Sequence, residues 1–386
     1  MKFKFLSAVY FLSLLYLFLY SFTQVDLDLT LSRLSLWQVF QKFFQHIGYF
    51  QRPLSTGLYL SILVLLFIFY GIFLKLAHTL KTKQMWVLIF GAAVILVFSY
   101  NAFSYDLFNY IFDAKIITHY HQNPYLHKAL DYPGEYMLNF MRWTHRTYPY
   151  APFWLVLTVP LSFIGMQFFL PTFFLFKLLM GASYLGSTYF LWKILKKLSP
   201  TNEVMGTILF ALNPLILIES LVSAHLDIVM MFLALLSLYL FVEKKFATSA
   251  LSLIASAGIK FATGFLIIPF FMKFFLKRTT WETFFAWSIF LMFDAAVVAT
   301  IRTTFQPWYL VTMIPFCAIF ARKKFVLVPV FIISFFALLE YAPYLYFGDW
   351  NPPVPGLILE SIELGLFITV VATGISYIFP SFKQKK

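Results

Sequence analysis

Apolar runs of about 18 residues or more recur along this chain, and they constrain its fold more than any motif does. They cover residues 5–22, 54–76, 85–103, 171–191, 281–301, 325–347 and 357–379. In hydrocarbon a backbone N–H or C=O finds no water to pair with, so each run must close its hydrogen bonds internally as a helix. Of the 386 residues, 61% are hydrophobic and only 12% are charged, more apolar surface than a water-soluble core can hide. The expected fold class is all-α: a polytopic helical membrane protein, read as one membrane domain over residues 1–386. It divides into N-terminal spans (1–84), a third span with a long external loop (85–169), core spans (170–320) and C-terminal spans (321–386). No soluble domain, low-complexity linker or repeat is evident.

The formal net charge of +13 suggests nucleic acid in a soluble protein. Here the lysines and arginines sit in short clusters between apolar runs, the pattern of cytoplasmic loops, so no nucleic-acid partner is expected. The single cysteine, Cys317, lies in an apolar run and excludes an intrachain disulfide. Residues 5–22 follow Lys2 and Lys4 and lack a small-residue cleavage site, which predicts an uncleaved first span.

With 203–220, 227–242, 246–275 and 307–320 added, orienting the runs by their basic flanks predicts about twelve crossings in a cell membrane, with both termini cytoplasmic. Lys75, Lys81 and Lys83 mark one inner turn, Lys193, Lys196 and Lys197 another, and Lys244 and Lys245 a third. Arg322, Lys323 and Lys324 mark a fourth, and Lys383, Lys385 and Lys386 close the chain. For this parity to hold, the short apolar run 152–164, with Pro152 and Pro160, must be a half-inserted or interfacial piece of the external loop. Residues 34–50 carry Leu36, Val39, Phe40, Phe43, Phe44 and Ile47 at helical spacing, which predicts a surface-lying amphipathic helix. Residues 246–275 have basic residues at both ends and Lys260 in the middle. They read either as a hairpin broken near Lys260 or as one long tilted span.

Four groups of polar residues fall at the predicted external end. The first is Asp106, just past the third run. An acid at the mouth of a membrane helix is costly to keep and is a functional candidate by default. On a helix, Asp106, Asn109, Tyr110 and Asp113 share a face. The bland reading is a helix cap, which suits Ser104 better than Asp106. The second group is Asn213-Pro214 through Glu219 to His225-Leu226-Asp227. It reads as capping, as an active-site pocket, or as part of a metal site, although two ligands at i, i+2 are no metal signature. The third is Lys260, which either snorkels to the interface or balances a phosphate. The fourth runs from Arg302 to Trp308 and Tyr309. It is either an interface belt or a guanidinium beside aromatics that would hold a phosphate joined to a sugar or lipid. No Walker loop, dinucleotide-binding glycine fingerprint or His-Glu-x-x-His occurs.

At these residues the chain resembles the GT-C superfamily of integral membrane glycosyltransferases, and is most similar to the bacterial polyprenol-phosphate-mannose-dependent mannosyltransferases. The matching pieces, in the family's order, are Tyr105-Asp106 with Asn109-Tyr110 and Asp113, then Asn123-Pro124-Tyr125, then Tyr148-Pro149-Tyr150-Ala151-Pro152-Phe153-Trp154. Asn213-Pro214-Leu215 through Glu219 to His225-Leu226-Asp227, then Lys260, then Gln306-Pro307-Trp308-Tyr309-Leu310 complete the set. Ala151 stands where the family often has Gly, and Leu226 where Asn is common.

The resemblance implies an external active site, a polyprenyl monophosphate sugar donor, inversion at the anomeric carbon and Asp106 as the catalytic base. The expected activity is transfer of a hexose, mannose by the resemblance, to a glycan, lipid or protein hydroxyl. Lys260, Arg302, His225 and Asp227 would serve the donor phosphate, and Trp308 and Tyr309 its sugar or lipid. Asn109, Tyr110, Asp113, Tyr148 and Tyr150 would line the acceptor side or pocket. No cofactor and no essential divalent metal are expected. The competing reading is a transporter or flippase of an anionic lipid-linked sugar, using the same cations without chemistry.

Overall fold

The computed structural model describes residues 2–276 and 278–378, and among these no β-strand occurs. Lys277 and the basic residues at 383, 385 and 386 lie outside the described residues. Six helices are long and apolar enough to cross a membrane singly, and a bent pair makes a seventh candidate. The expected crossings also include shorter helices and one irregular segment, which do not meet that length alone.

Helix α1 (Lys2–Ser21) is followed by a surface helix, α2 (Ser35–Gln45), and by α3 (Arg52–Leu76). Helices α1 and α3 pack antiparallel, with Tyr16 and Tyr20 facing Ser61 and Ser55. In α2 the usual amphipathic order is reversed. Gln41 and Gln45 are buried and donate to the carbonyls of Leu29, Val25 and Asp26, whereas Leu36, Val39 and Phe43 point outward. A helix that buries glutamines and exposes leucine and phenylalanine needs an apolar surround, which fits an interfacial helix. Gly48 follows it. A Cβ there would sit 1.8 Å from the Thr23 carbonyl oxygen, so only glycine lets this turn close on the end of α1.

Helix α4 (Thr82–Leu96) is shorter than the run 85–103 that announced it. Its last residues leave the helix because Ser99 and Asn101 offer competing hydrogen bonds. Ser99 Oγ donates to Leu96 O and Asn101 Nδ2 to Ser104 O. The chain then enters α5 (Asp106–Thr118), a loop, α6 (Pro152–Ile164) and α7 (Phe169–Leu198). The start of α6 is tied to the turn of another helix pair, through Ala151 N–H to Ile259 O and Phe153 N–H to Gly258 O. It lies along α5, Tyr110 meeting Trp154 near its start and Thr118 meeting Ser162 near its end. Helix α7 then begins beside Phe108 and Phe140, at the same end of the bundle, and runs to the Lys193–Lys197 cluster. The chain therefore passes through α6 without changing ends, as the parity of the basic clusters demands.

Helices α8 (Glu203–Ala211) and α9 (Pro214–Leu217) make the bent pair, with a 52° break. Pro214 supplies no N–H, and Asn213 caps the second piece by accepting from Leu215 N while donating to Ser334 Oγ. Helix α10 (Asp227–Val242) packs on α7 and on α11 (Phe246–Ala257). A turn at Gly258–Lys260 and a short 3-10 segment lead to α12 (Ile267–Phe275). Phe246 and Phe274, at opposite ends of this stretch, have ring centroids 4.9 Å apart. Residues 246–275 are thus a hairpin turned at Lys260, and one long tilted span is excluded.

Helix α13 (Trp281–Arg302) precedes an irregular segment containing the single turn α14 (Ile314–Cys317). This segment runs from Trp308, at the site described below, to Ile319, whose carbonyl accepts from Asn202 at the opposite end. It is a succession of short 3-10 and α turns rather than one continuous helix, and a broken backbone survives at such depth only inside protein. Residues Leu310, Val311, Ile314, Phe316 and Ala318 are all buried. Helices α15 (Lys324–Leu339), α16 (Tyr341–Phe347) and α17 (Val354–Ile378) close the chain.

The bundle has two chemically different ends. One gathers Lys193, Lys196, Lys197, Glu203 and Glu243, with Trp86 against Trp192 and Lys197 paired to Glu243 at 3.0 Å. The other gathers the loop after α1, helices α5 and α6, the Lys260 turn and the residues around Trp308.

Candidate active site

Asp106 is the first residue of α5. The N-cap position is Tyr105, which makes no side-chain cap. Ser104, one residue before it, accepts the Asp106 N–H through its Oγ at 3.1 Å, a local turn rather than the helix cap its position suggested. The free N–H groups and the dipole of a helix N-terminus favour a carboxylate there. The Asp106 side chain is 19% exposed, shielded yet reachable. Burial raises its pKa above the usual carboxylate range. His225, Lys260 and Arg146 pull it back, Asp227 pushes it further up, and burial outweighs the rest.

His225 approaches from the far side. It sits in the turn between a π-helical segment, Ile218–Val222, and α10. The residue before it, Ala224, is buried in the left-handed region at φ 61°, a strained conformation for a residue with a Cβ. His225 Nε2 lies 3.0 Å from Ser104 Oγ and 3.8 Å from Asp106 Oδ2. Its Nδ1 lies 3.0 Å from Glu219 Oε2, in ion-pair range but without the alignment of a hydrogen bond. Glu219 Oε1 accepts from the Tyr341 hydroxyl at 2.9 Å. Trp308 covers the imidazole face, with ring centroids 3.9 Å apart and planes within 23°. The π-helical segment is itself anchored. Buried Lys177 of α7 donates to the carbonyls of Leu221 and Val222 and to Ser99 Oγ, tying its amine to the carbonyl end of that segment.

The third component comes from the hairpin. Lys260 Nζ lies 2.9 Å from Asp227 Oδ1 and 5.3 Å from the centroid of the Tyr309 ring. Asp227 is buried, whereas the lysine is 28% exposed. Tyr309 is braced by its hydroxyl, 3.1 Å from Thr303 Oγ1.

Aromatic side chains form the remaining wall. Tyr110, one turn beyond Asp106, meets Tyr150 edge to face at 5.4 Å, and Tyr150 meets Tyr148 at 5.6 Å. Tyr148 donates to the Ala151 carbonyl. Burial pushes the phenols of Tyr110 and Tyr150 well above their ordinary range, and Asp106 adds to both shifts. Asp113 lies two turns beyond Asp106 on the same face, and burial pushes its carboxyl up to about 8. Asn109 is partly buried, and its Oδ1 has no hydrogen-bond partner among the described residues.

Asp106, His225, Asp227, Lys260, Trp308, Tyr309, Tyr110 and Tyr150 thus converge, from segments scattered over most of the chain. Arg302 closes α13 on an exposed surface, and no contact among the described residues joins it to this cluster. Arg146, exposed and stacked over Trp143 at 4.2 Å, makes no contact with the cluster among the described residues but pulls the Asp106 pKa down at longer range. Sequence reasoning missed Arg146, although it carries the signal that singled out Arg302, an arginine in a segment predicted external. It also missed Lys177, a lysine inside an apolar run like Lys260. Nothing in the sequence points to Tyr341. Among the described residues no group of three or more His, Cys, Asp or Glu side chains is placed to hold a metal ion. Two apolar grooves, of about 770 and 550 Å³, lie elsewhere, one between α13 and α15 and one between α3 and α15.

A family model described as alpha-(1->6)-mannopyranosyltransferase, N-terminal domain, matches residues 30–277. No curated protein and no solved structure matches the chain.

Proposed function

The chain belongs to the alpha-(1->6)-mannopyranosyltransferase family, a GT-C-like group of mannosyl-transferring enzymes, and on that premise we propose that Asp106 is the general base of a lipid-dependent mannosyl transfer. The donor is a polyprenyl monophosphate mannose and the acceptor a hydroxyl of a glycan, lipid or protein. The reaction takes place at the external membrane face. The observation that carries the reading is the convergence on Asp106. A partly desolvated carboxyl at a helix N-terminus faces a lysine–aspartate pair and a stacked histidine. Segregation of the lysine clusters to the opposite end supports an external site.

In this reading the acceptor hydroxyl approaches Asp106 and loses its proton as its oxygen bonds to the anomeric carbon. The bond from that carbon to the phosphate oxygen breaks on the opposite face, and the configuration inverts. A β-linked donor would then give the α linkage that the family's description prints. The departing phosphate gains a negative charge, which Lys260 would meet directly and Arg146 from longer range. Asp227 keeps Lys260 extended toward the site before the donor arrives. Trp308 and Tyr309 offer flat faces to the sugar or to the first isoprene unit. The burial that raises the Asp106 pKa makes it a stronger base than a solvated carboxylate, with a pKa closer to working pH.

The test is Asp106→Asn in reconstituted vesicles with labelled donor and a panel of small acceptors. The variant should retain its melting temperature and donor binding and lose transfer by about 10²- to 10⁴-fold, the usual contribution of a positioned base. Full activity would end the assignment. Donor binding by the wild-type protein without release of polyprenyl phosphate would favour transport instead.

A further inference from the structure

We infer that the proton taken up by Asp106 passes to His225, and that Glu219 and Trp308 stabilise the imidazolium so formed. This rests on the base assignment above and extends it.

The inference starts from Glu219, a fully buried acid that the transfer step itself does not use. A buried carboxylate is costly unless its charge is met. Its two oxygens are divided. Oε1 takes the Tyr341 hydroxyl, whereas Oε2 faces His225 Nδ1 at 3.0 Å and has no other partner among the described residues. This contact lacks hydrogen-bond alignment, yet a carboxylate 3.0 Å from one imidazole nitrogen stabilises the cation formed when the other nitrogen is protonated. The indole face of Trp308, 3.9 Å away, also attracts a cation. Both neighbours therefore favour a charged ring.

The other nitrogen, Nε2, points to the reaction side. It lies 3.8 Å from Asp106 Oδ2, slightly beyond a direct hydrogen bond, and 3.0 Å from Ser104 Oγ. Ser104 also accepts the Asp106 N–H, so one hydroxyl touches both residues. Catalytic contacts that are long in a free enzyme tighten when substrate is bound. The charged and titratable groups around His225 are Asp106 from α5, Glu219 from the π-helical segment and, one residue further, Tyr341 from α16. Asp227 is committed to Lys260, and Glu340 acts on Glu219 from within electrostatic reach.

The step balances. The acceptor O–H gives its proton to Asp106, and its oxygen bonds to the anomeric carbon. The carbon–oxygen bond to phosphate breaks, with its electron pair going to the phosphate oxygen. Asp106 passes the proton to neutral His225 Nε2, and the ring gives it up to water when the products leave and solvent enters the site. No co-reactant is required.

The experiment compares Glu219→Gln, His225→Gly and Asp106→Asn with wild type. Turnover of labelled polyprenyl-phosphate mannose in vesicles is measured from about pH 5 to 9, with and without added imidazole. The expected result for Glu219→Gln is an unchanged donor KM, a fall of ten-fold or more in kcat, and an altered pH–kcat profile. Imidazole should restore turnover to His225→Gly and not to Asp106→Asn. If Glu219→Gln fails to fold, the imidazole arm decides alone. An equal loss at every pH in Glu219→Gln, no rescue of His225→Gly, or wild-type kinetics in both overturns the relay. Full activity in Asp106→Asn instead removes the base on which it rests, so the two failures are told apart.

Discussion

Nζ of Lys260 and Oδ1 of Asp227 are 2.9 Å apart across 33 residues of chain, joining the turn of the α11–α12 hairpin to the start of α10. The buried partner is the aspartate, so the pair is asymmetric. Removing the lysine leaves a buried carboxylate with no countercharge, whereas removing the carboxylate leaves a lysine that still reaches solvent.

Lys260→Gln should therefore lower the melting temperature and raise the donor KM by about ten-fold, the cost of about one charge-assisted hydrogen bond. The double variant Lys260→Gln with Asp227→Asn should recover the stability and not the KM. Recovery of both in the double variant would mean that Lys260 only neutralises Asp227. Thermal melts and donor titrations on the same preparations separate the two effects.

The rate should depend on pH through Asp106. The base works deprotonated, and burial holds its pKa above the ordinary carboxylate value. Turnover should therefore fall as pH drops through a midpoint higher than that of a solvated aspartate. Moving Asp227, whose charge pushes Asp106 up, to Asn should shift that midpoint down. A pH–kcat profile of wild type and Asp227→Asn checks both directions.

Asp113 is expected to act on stability. Its folded-state pKa of about 8 lies above its ordinary value of 3.8, so the folded protein holds this proton more tightly than the unfolded chain. Its stabilising contribution is complete below the ordinary value and is lost as pH rises toward 8. Asp113→Asn should melt at the same temperature as wild type near pH 4 and a few degrees higher near pH 8. Melting curves at the two pH values test the difference.

Ala224 holds His225 in place through a left-handed backbone. Ala224→Gly relieves strain of about 1–2 kcal/mol, offset in part by the entropy that glycine loses on folding. It should fold with equal or slightly higher stability. Ala224→Val places a β-branched side chain in the same conformation at a fully buried site and should lose both stability and turnover. Equal behaviour of the two variants would show that the turn relaxes without disturbing His225.

Much of the site was legible because some residues are expensive where they stand. Asp106 after an apolar run, Lys260 within one and His225-Asp227 between two all stand out against a hydrophobic background, and all meet in the fold. The same logic applied evenly would have found Lys177. It missed Arg146 because a polar loop gives no such contrast, and it selected Arg302, which ends on an exposed surface apart from the cluster. The hairpin at 246–275 was left open because hydropathy fixes how much apolar chain there is, not where it turns.

What the sequence alone determined is the solvent. Transfer of each residue between water and hydrocarbon is a local, nearly additive quantity, so runs of apolar residues settle the helical class, and basic clusters sort the connections into two ends. What only the tertiary structure decided is which polar groups face one another. Ser104 and His225 are 121 residues apart, and Tyr341 and Glu219 are 122. Contacts at such separations depend on the packing of every helix between them, on the bend at Pro214 and on the left-handed turn at Ala224. Hydrogen bonding requires placement to within a few tenths of an ångström, a condition no local property of the chain encodes.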